Sequence, residues 1–301
     1  MVDFQDRVAI VTGAGGGLGK SHALLLASRG AAVVVNDLGG TVSGEGASAS
    51  AADLVVDEIK AAGGVAVAEY SSVADVEGGE AIVQKALDEF GRVDILINNA
   101  GILRDRSFAK MEFDEVHAVL DVHLKGAFYV TKPAFLKMKE QGYGRIVMTS
   151  SASGILGNFG QANYGAAKMG LVGLMNVLKH EGAKYNIKVN SIAPIAATRM
   201  TEGLFGEVMA KFDPGSVSPA VADLASEECE VSGDIWSVGG GSVSRFFIGL
   251  TDGYFKNQAG SGPLTIEDVA EHVKDIRDED GYIVPYSNQD EFSKLGPSLL
   301  D

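Results

Sequence analysis

The sequence predicts a doubly wound α/β protein, a seven-stranded parallel sheet with helices on both faces, followed by a C-terminal extension. Three observations predict it. Short apolar runs alternate with longer amphipathic segments from residue 8 to residue 238. The first run ends in a glycine turn, Thr12-Gly13-Ala14-Gly15-Gly16-Gly17-Leu18-Gly19, and a helical segment follows at once. The second run ends in an acid, Asp37, eighteen residues past Gly19. Strand, glycine turn, helix, strand and acid, in that order, form the Rossmann-type dinucleotide-binding pattern.

Residues 8–11 read as the first strand and 21–29 as the first helix, which Gly30 stops. Gly13, Gly16, Gly17, Leu18 and Gly19 let backbone approach a pyrophosphate, and the helix N-terminus favours its charge. Residues 32–35 are the second strand. Asp37, with Leu38 beside it, is expected to accept hydrogen bonds from the adenosine ribose and to repel a 2′-phosphate. No Arg or Lys stands inside the glycine turn, although Lys20 follows it. NAD is therefore expected over NADP. Residues 39–50, rich in Gly and Ser, read as a loop at the adenosine end. A helix (52–61) and a strand (65–70) lead to Ser71-Ser72-Val73, where an adenine ring can be held.

A helix over 75–90 precedes the fourth strand (93–97), which ends in Asn98-Asn99-Ala100-Gly101. Small residues and amides there allow close contact with a cofactor. Residues 112–139 read as mostly helical, with His123 near the middle and Pro133 bending the helix or accommodated at some cost. The fifth strand covers 144–151 and the sixth 187–193, followed by Pro194-Ile195-Ala196-Ala197-Thr198. Residues 201–216 read as a mobile flap over the substrate. A helix (217–227) and a seventh strand (235–238) follow, and Gly239-Gly240-Gly241 reads as a plain turn. Right-handed crossovers gather all strand C-termini on one edge, where ligands bind in open α/β sheets.

The stretch from Ser150 to Lys168 carries the chemistry. Tyr164 and Lys168 are four residues apart on a predicted helix, hence on one face. A phenol with its ordinary pKa of about 10 is a poor base. A neighbouring ammonium lowers that pKa, so the tyrosine can exchange a proton with an alcohol near neutral pH. Ser151, at the strand end, can donate to the same substrate oxygen. An isolated Tyr-x-x-x-Lys is usually a plain surface pair; the surrounding motifs argue otherwise here.

The totals narrow the choice. The chain has 301 residues, 46% apolar and 22% charged, with a formal charge of −15 and no basic cluster. That argues against nucleic acid as partner. Cys229 is the only cysteine and the five histidines lack ligand spacing, so no disulfide and no metal site is expected. No apolar run is long enough for a membrane span. The N-terminus does not read as a signal sequence, nor Ser298-Leu299-Leu300-Asp301 as a peroxisomal one, so a cytoplasmic location is the default. Residues 1–244 are expected to form the dinucleotide-binding catalytic domain. Residues 245–301 are expected to form a partly helical extension, an interface or a lid, with a helix start at Thr265-Ile266-Glu267-Asp268.

The glycine turn, Asn98-Asn99-Ala100-Gly101, Ser151, Tyr164-x-x-x-Lys168 and the Pro194 segment together resemble the short-chain dehydrogenase/reductase superfamily, over residues 5 to about 242. Longer words, such as Val35-Asn36-Asp37-Leu38-Gly39-Gly40 and Gly157-Asn158-Phe159-Gly160-Gln161-Ala162-Asn163-Tyr164, are similar to one branch, the (3R)-hydroxyacyl-CoA dehydrogenase domains of multifunctional enzymes. A stand-alone relative, similar to bacterial proteins of steroid or fatty acyl-CoA breakdown, is expected. The resemblance implies hydride transfer to NAD with Tyr164 as acid/base, Ser151 orienting the hydroxyl, and Lys168 binding the nicotinamide ribose. It adds Ala100, Gly101, Pro194, Ala196 and Thr198 to the cofactor contacts, and it implies a homodimer. One departure stands out: the superfamily's water-holding Asn is replaced by His123, so either a proton relay or a packed ring is expected there. Alternatives are a 3-oxoacyl thioester reductase, a 17β-hydroxysteroid dehydrogenase, or a non-catalytic nucleotide sensor. The presence of Ser151, Tyr164 and Lys168 argues against the sensor.

Overall fold

A computed structural model describes residues 2–197 and 212–300. The chain divides into two compact units, residues 1–245 and 246–301. In the first, strands β1 (Val8–Thr12), β2 (Ala32–Asn36), β3 (Val65–Glu69), β4 (Ile95–Asn98), β5 (Gly144–Thr149), β6 (Ile187–Pro194), β7 (Ile235–Gly239) and β8 (Ser242–Phe246) form one sheet. Their order is β3-β2-β1-β4-β5-β6-β7-β8. The first seven pair in parallel, with registers such as Ile10↔Val34 and Ile97↔Val147. The order reverses between β1 and β4, the switch point where a crevice opens in this architecture.

The sheet therefore has an eighth strand beyond the seven expected. Gly240 and Gly241 have φ of 57° and 81°, the two left-handed residues of a tight hairpin turn, so β8 returns along β7. Its residues Ser242-Val243-Ser244-Arg245 are exposed. An edge strand that buries no face carries no apolar run to announce it.

The central strands are apolar on both faces because both are covered. Ala9, Val11, Val33, Val35, Ile97 and Val147 pack with Leu26, Val55, Ile59, Val221 and Leu224. These last come from helices α1 (Gly17–Ser28), α2 (Ser50–Ala61) and, later in the chain, Ser218–Ala225. Ile10, Val34, Leu96 and Ile146 alternate with the first set and are also fully buried. Each such side chain contributes about 1.5–3 kcal/mol. Helix α3 (Val76–Phe90) starts on Asp75, whose carboxylate accepts from Gly78 N–H at 2.7 Å.

The long helical stretch is three pieces: α4 (Phe113–Leu120), a wider π-type turn (Asp121–Lys125) and α5 (Gly126–Gln141). Pro133 lies inside α5 without ending it. It removes the N–H that would bond to the Tyr129 carbonyl, and Gly79 of α3 packs so closely there that a Cβ would stand 2.7 Å from that oxygen. A short helix, α6 (Ala152–Ile155), precedes α7 (Ala162–Gly182), and Ser218–Ala225 is α8. The expected flap over 201–216 falls largely outside the described residues; Pro214–Ser216 forms one 3-10 turn.

The second unit is tied within itself. Leu250 and Ile283 form an antiparallel bridge, Phe247 stacks on Tyr282, and Tyr254 stacks on His272. Thr265 and Asp268 form a reciprocal cap on α10 (Ile266–Glu271), which follows α9 (Gln258–Ser261). His272 interrupts the expected helix, and α11 (Val273–Ile276) resumes it before α12 (Asn288–Leu300). Among the described residues no helix is long and apolar enough to cross a membrane.

Candidate active site

At the C-terminal end of β1 the chain turns at Gly13, with φ of +64°, and a Cβ there would stand 2.7 Å from the Ala100 Cα. The hydroxyl of Thr12 accepts from the N–H groups of Asn99 and Ala100 at 3.0 and 3.1 Å. Asn99 returns the contact, its side-chain amide donating to the oxygens of Thr12 and Gly13 at 3.0 and 3.1 Å. Asn99 thus braces the glycine turn from the next strand. Gly19 is buried beneath the turn, where a Cβ would meet the Gly13 oxygen at 2.3 Å.

Above this turn lies a cleft of about 310 Å³. Gly13, Gly16, Gly17, Leu18, Asp37, Leu38, Ser72, Val73, Asn99, Ala100 and Gly101 line it. Helix α1 begins at Gly17 with no side-chain cap and no acid in its first turn. Its first N–H groups therefore lack a side-chain acceptor, at the positive end of the helix. The Asp37 carboxylate bridges two backbone N–H groups, Gly15 and Gly39, at 2.7 Å each. A Cβ on Gly15 would stand 2.8 Å from that carboxylate carbon. Bare backbone, an uncapped helix start and a fixed acid suit a diphosphate and an adenosine ribose. Where β3 ends beside the cleft, buried Glu69 accepts from Asn36 Nδ2 at 2.6 Å and from Ser71 N–H at 2.9 Å. Asn36 Nδ2 also donates to the Ser71 oxygen, so Glu69 and Asn36 hold the turn that precedes Ser72 and Val73.

The proposed catalytic residues meet at the same sheet edge. Ser151 follows β5 and caps α6, its hydroxyl accepting from Ser153 N–H at 3.1 Å. Tyr164 is half-buried on the first turn of α7. Burial pushes its phenol above the ordinary value; a hydrogen bond with Ser151 draws it down and Asp105 adds a smaller upward push. Lys168 is 3% exposed, and its Nζ donates to the Thr149 oxygen at 2.5 Å. Burial lowers its pKa to about 7. Its Nζ lies 5.4 Å from the Tyr164 ring centre.

Desolvation is the largest influence on the phenol, and the lysine amine is turned to the main chain at the end of β5. Charging that lysine is itself costly in this setting.

His123 occupies the π-type turn, buried, with its ring edge-on to Tyr164 at 5.2 Å and 86°. Nε2 sits 2.9 Å from the Ile102 nitrogen and 2.8 Å from its oxygen, while Nδ1 has no hydrogen-bond partner among the described residues. Burial, with Lys168 adding to it, holds the ring well below its ordinary pKa, so it is neutral. Gly101 admits the ring, since a Cβ there would meet His123 Cε1 at 2.3 Å.

Tyr164, Lys168, Pro194 and Ala196 do not line this cleft; Ala196 is buried beyond β6. Thr198 lies outside the described residues. Sequence reasoning missed Asn163 and Arg104. Buried Asn163 donates to the oxygens of Arg104 and Glu115 at 3.0 and 3.1 Å and accepts from Tyr164 N–H at 2.7 Å. Such polar contacts join segments about fifty residues apart, and no local spacing announces them.

Fold and site together define a nucleotide-dependent α/β oxidoreductase. Residues 7–207 match the short chain dehydrogenase family, and the chain belongs to that family. A Mycobacterium tuberculosis protein named as a short-chain type dehydrogenase/reductase is 52% identical over 282 residues, 93% of this chain and 97% of that one. The peroxisomal multifunctional enzyme type 2 of Drosophila melanogaster is 52% identical over 274 residues, 91% of this chain but 45% of that protein. The solved full-length Drosophila structure superposes with a TM-score of 0.84 at 41% identity, covering 99% of this chain and 50% of that one. The chain thus spans about half of the multifunctional relative.

Proposed function

We propose that this protein is an NAD-dependent dehydrogenase that interconverts (3R)-3-hydroxyacyl-CoA and 3-oxoacyl-CoA, in fatty acid or steroid side-chain degradation. The observation that carries it is the convergence of Ser151, Tyr164 and Lys168 beside a cleft whose floor is bare backbone and whose rim holds Asp37. Two further relatives are named for 3-oxoacyl thioesters, a 3-oxoacyl-[acyl-carrier-protein] reductase of Synechocystis, 39% identical over 253 residues, and an acetoacetyl-CoA reductase of Acinetobacter, 35% identical over 256, and these names support the substrate class.

When bound, the nicotinamide cofactor supplies the hydride acceptor or donor. Gly13, Gly16, Gly17 and Leu18 would hold its diphosphate, Asp37 and Leu38 its adenosine ribose, and Ser72 and Val73 its adenine. Asn99, Ala100, Gly101, Lys168, Pro194, Ala196 and Thr198 are proposed to serve its nicotinamide half. Asp37 disfavours a 2′-phosphate by charge, which supports NAD. In alcohol oxidation Tyr164, as its phenolate, takes the substrate hydroxyl proton at Oη, while Ser151 Oγ donates to the oxygen as it becomes a carbonyl. Lys168, when protonated, favours that phenolate by its charge, and neutral His123 packs the phenol ring in place. Proton exchange at Tyr164 Oη contributes on the order of 10²–10⁴ in rate.

The exposed stripe of Met169, Gly173 and Val177 on α7, with Phe128 and Leu136 exposed on α5, supports a homodimer. The second unit, with Phe247, Ile266 and Phe292 exposed, is proposed to act as an interface or a lid, and the protein to work in the cytoplasm.

One observation favours a second reading, reduction of a 3-oxoacyl thioester: burial keeps the Tyr164 proton in place, which suits donation to a carbonyl. A screen of NADH formation over hydroxyacyl-CoAs and steroid alcohols tests the first reading. Rates with NADPH and a 3-oxoacyl thioester that exceed all rates with NAD support the second.

A further inference from the structure

The segment between β2 and α2 is exposed along most of its length. Its base closes where Ser48 N–H donates to the Leu38 oxygen at 2.9 Å. Its tip folds on itself: Thr41 N–H donates to the Glu45 oxygen at 2.9 Å and Gly44 N–H to the Thr41 oxygen at 3.0 Å. Thr41, Val42 and Gly44 line one lip of the nucleotide cleft, and Gly101 and Ile102 line the facing lip. Between residues 41 and 50 only Val42 and Ser43 are half-buried. Those two are the residues tied across the cleft. Leu103 N–H donates to the Val42 oxygen at 2.9 Å, and Arg104 Nε donates to the Ser43 oxygen at 3.0 Å. The segment is a strap over the cleft, held to the facing lip by two hydrogen bonds.

Arg104 is bound on both sides. Its side chain holds the strap, while its own carbonyl oxygen accepts from Asn163 Nδ2 at 3.0 Å, one residue before Tyr164. Among the described residues its guanidinium has no carboxylate partner, so Ser43 is what it grips. A hydrogen bond from a cation is stronger than a neutral one. The other tie is main chain to main chain.

We propose that Arg104 is a latch: it holds the strap closed over the bound dinucleotide and sets the rate at which the dinucleotide leaves. The proposal rests on the reading of this cleft as the cofactor site. These two hydrogen bonds tie the strap tip to the facing lip, where Gly44 also packs against Ile102, so loosening the ties opens the way out for a ligand beneath the strap. Among the described residues Arg104 bonds to Ser43 and Asn163 rather than to the Tyr164 hydroxyl, so it is a positioning residue and the chemical step is indifferent to it.

The test uses the full chain with Arg104→Met and Arg104→Lys. NADH and NADPH release are followed by stopped-flow fluorescence, hydride transfer by single turnover, and amide protection by hydrogen exchange. Arg104→Met is expected to release cofactor roughly tenfold faster and to raise KM for it by a similar factor. Its single-turnover rate stays within about twofold, with faster exchange at residues 40–46 and unchanged exchange in α7. Arg104→Lys, which keeps a charged donor, falls between the two and serves alone if the Met variant does not fold. Release and strap exchange at wild-type rates would overturn the latch while leaving the cofactor site standing. Lost protection in α7 together with a slowed single turnover would make Arg104 a packing residue and overturn it as well. A wild-type protein that binds neither NADH nor NADPH removes the cofactor reading itself, a separate failure.

Discussion

Lys168 donates to the main-chain oxygen of Thr149 at 2.5 Å, so the amine is anchored to the end of β5. The phenol ring of Tyr164 is centred 5.4 Å away. The same burial acts on both groups with opposite sign, pulling the lysine down to about 7 and pushing the phenol up. Both effects favour the neutral forms.

The pH dependence of stability follows from the lysine. An unfolded lysine titrates near its ordinary 10.5 and the folded one near 7. Between those values the unfolded chain binds more protons, so stability rises with pH across that window. Lys168→Met removes this rise. Melting temperatures at pH 7 and 9.5 check it: the wild type should gain several degrees relative to the variant.

Histidine sets the acid side. His22 is buried, Nδ1 lies 2.8 Å from Ser218 Oγ, and burial lowers its pKa to about 3. The unfolded chain takes up a proton near 6.5 that the folded chain refuses, so stability falls as pH drops from 6.5 toward 3. His22→Gln should flatten that loss, read from urea midpoints at pH 7 and 4.5.

Asp37 fixes the rim by accepting from Gly15 and Gly39. Asp37→Ala is expected to raise KM for NAD by about 10–100-fold, as a charged hydrogen-bond partner is lost. It should also let NADP compete. Initial rates with both cofactors measure this, and unchanged selectivity would contradict Asp37 as the ribose acceptor.

Gly19 has no room for a side chain, because a Cβ would collide with the Gly13 oxygen. Gly19→Ala should cost about 1–3 kcal/mol of stability and weaken NAD binding with it. Urea unfolding and NADH titration of the same variant check both.

Much of this was legible in the sequence for a physical reason. Strands buried on both faces must be apolar throughout, so 8–11, 32–35 and 187–193 announce themselves. A glycine turn, an acid at a fixed distance and a Tyr-Lys pair one turn apart are local patterns. β8 was not legible, because an exposed edge strand alternates polar residues and buries neither face. The π-type turn at His123 left no mark in the 3.6-residue period. Nor did spacing reveal that Lys168 turns to Thr149, or that Arg104 joins Ser43 to Asn163. Those contacts depend on how distant segments meet.

The most direct measurement compares wild type and Tyr164→Phe for NADH formation from a (3R)-3-hydroxyacyl-CoA, with NADH affinity determined in parallel. The account predicts turnover by the wild type, a loss of about 10³-fold in the variant, and equal NADH affinity in both. A variant that keeps its rate within tenfold while binding NADH normally would contradict it.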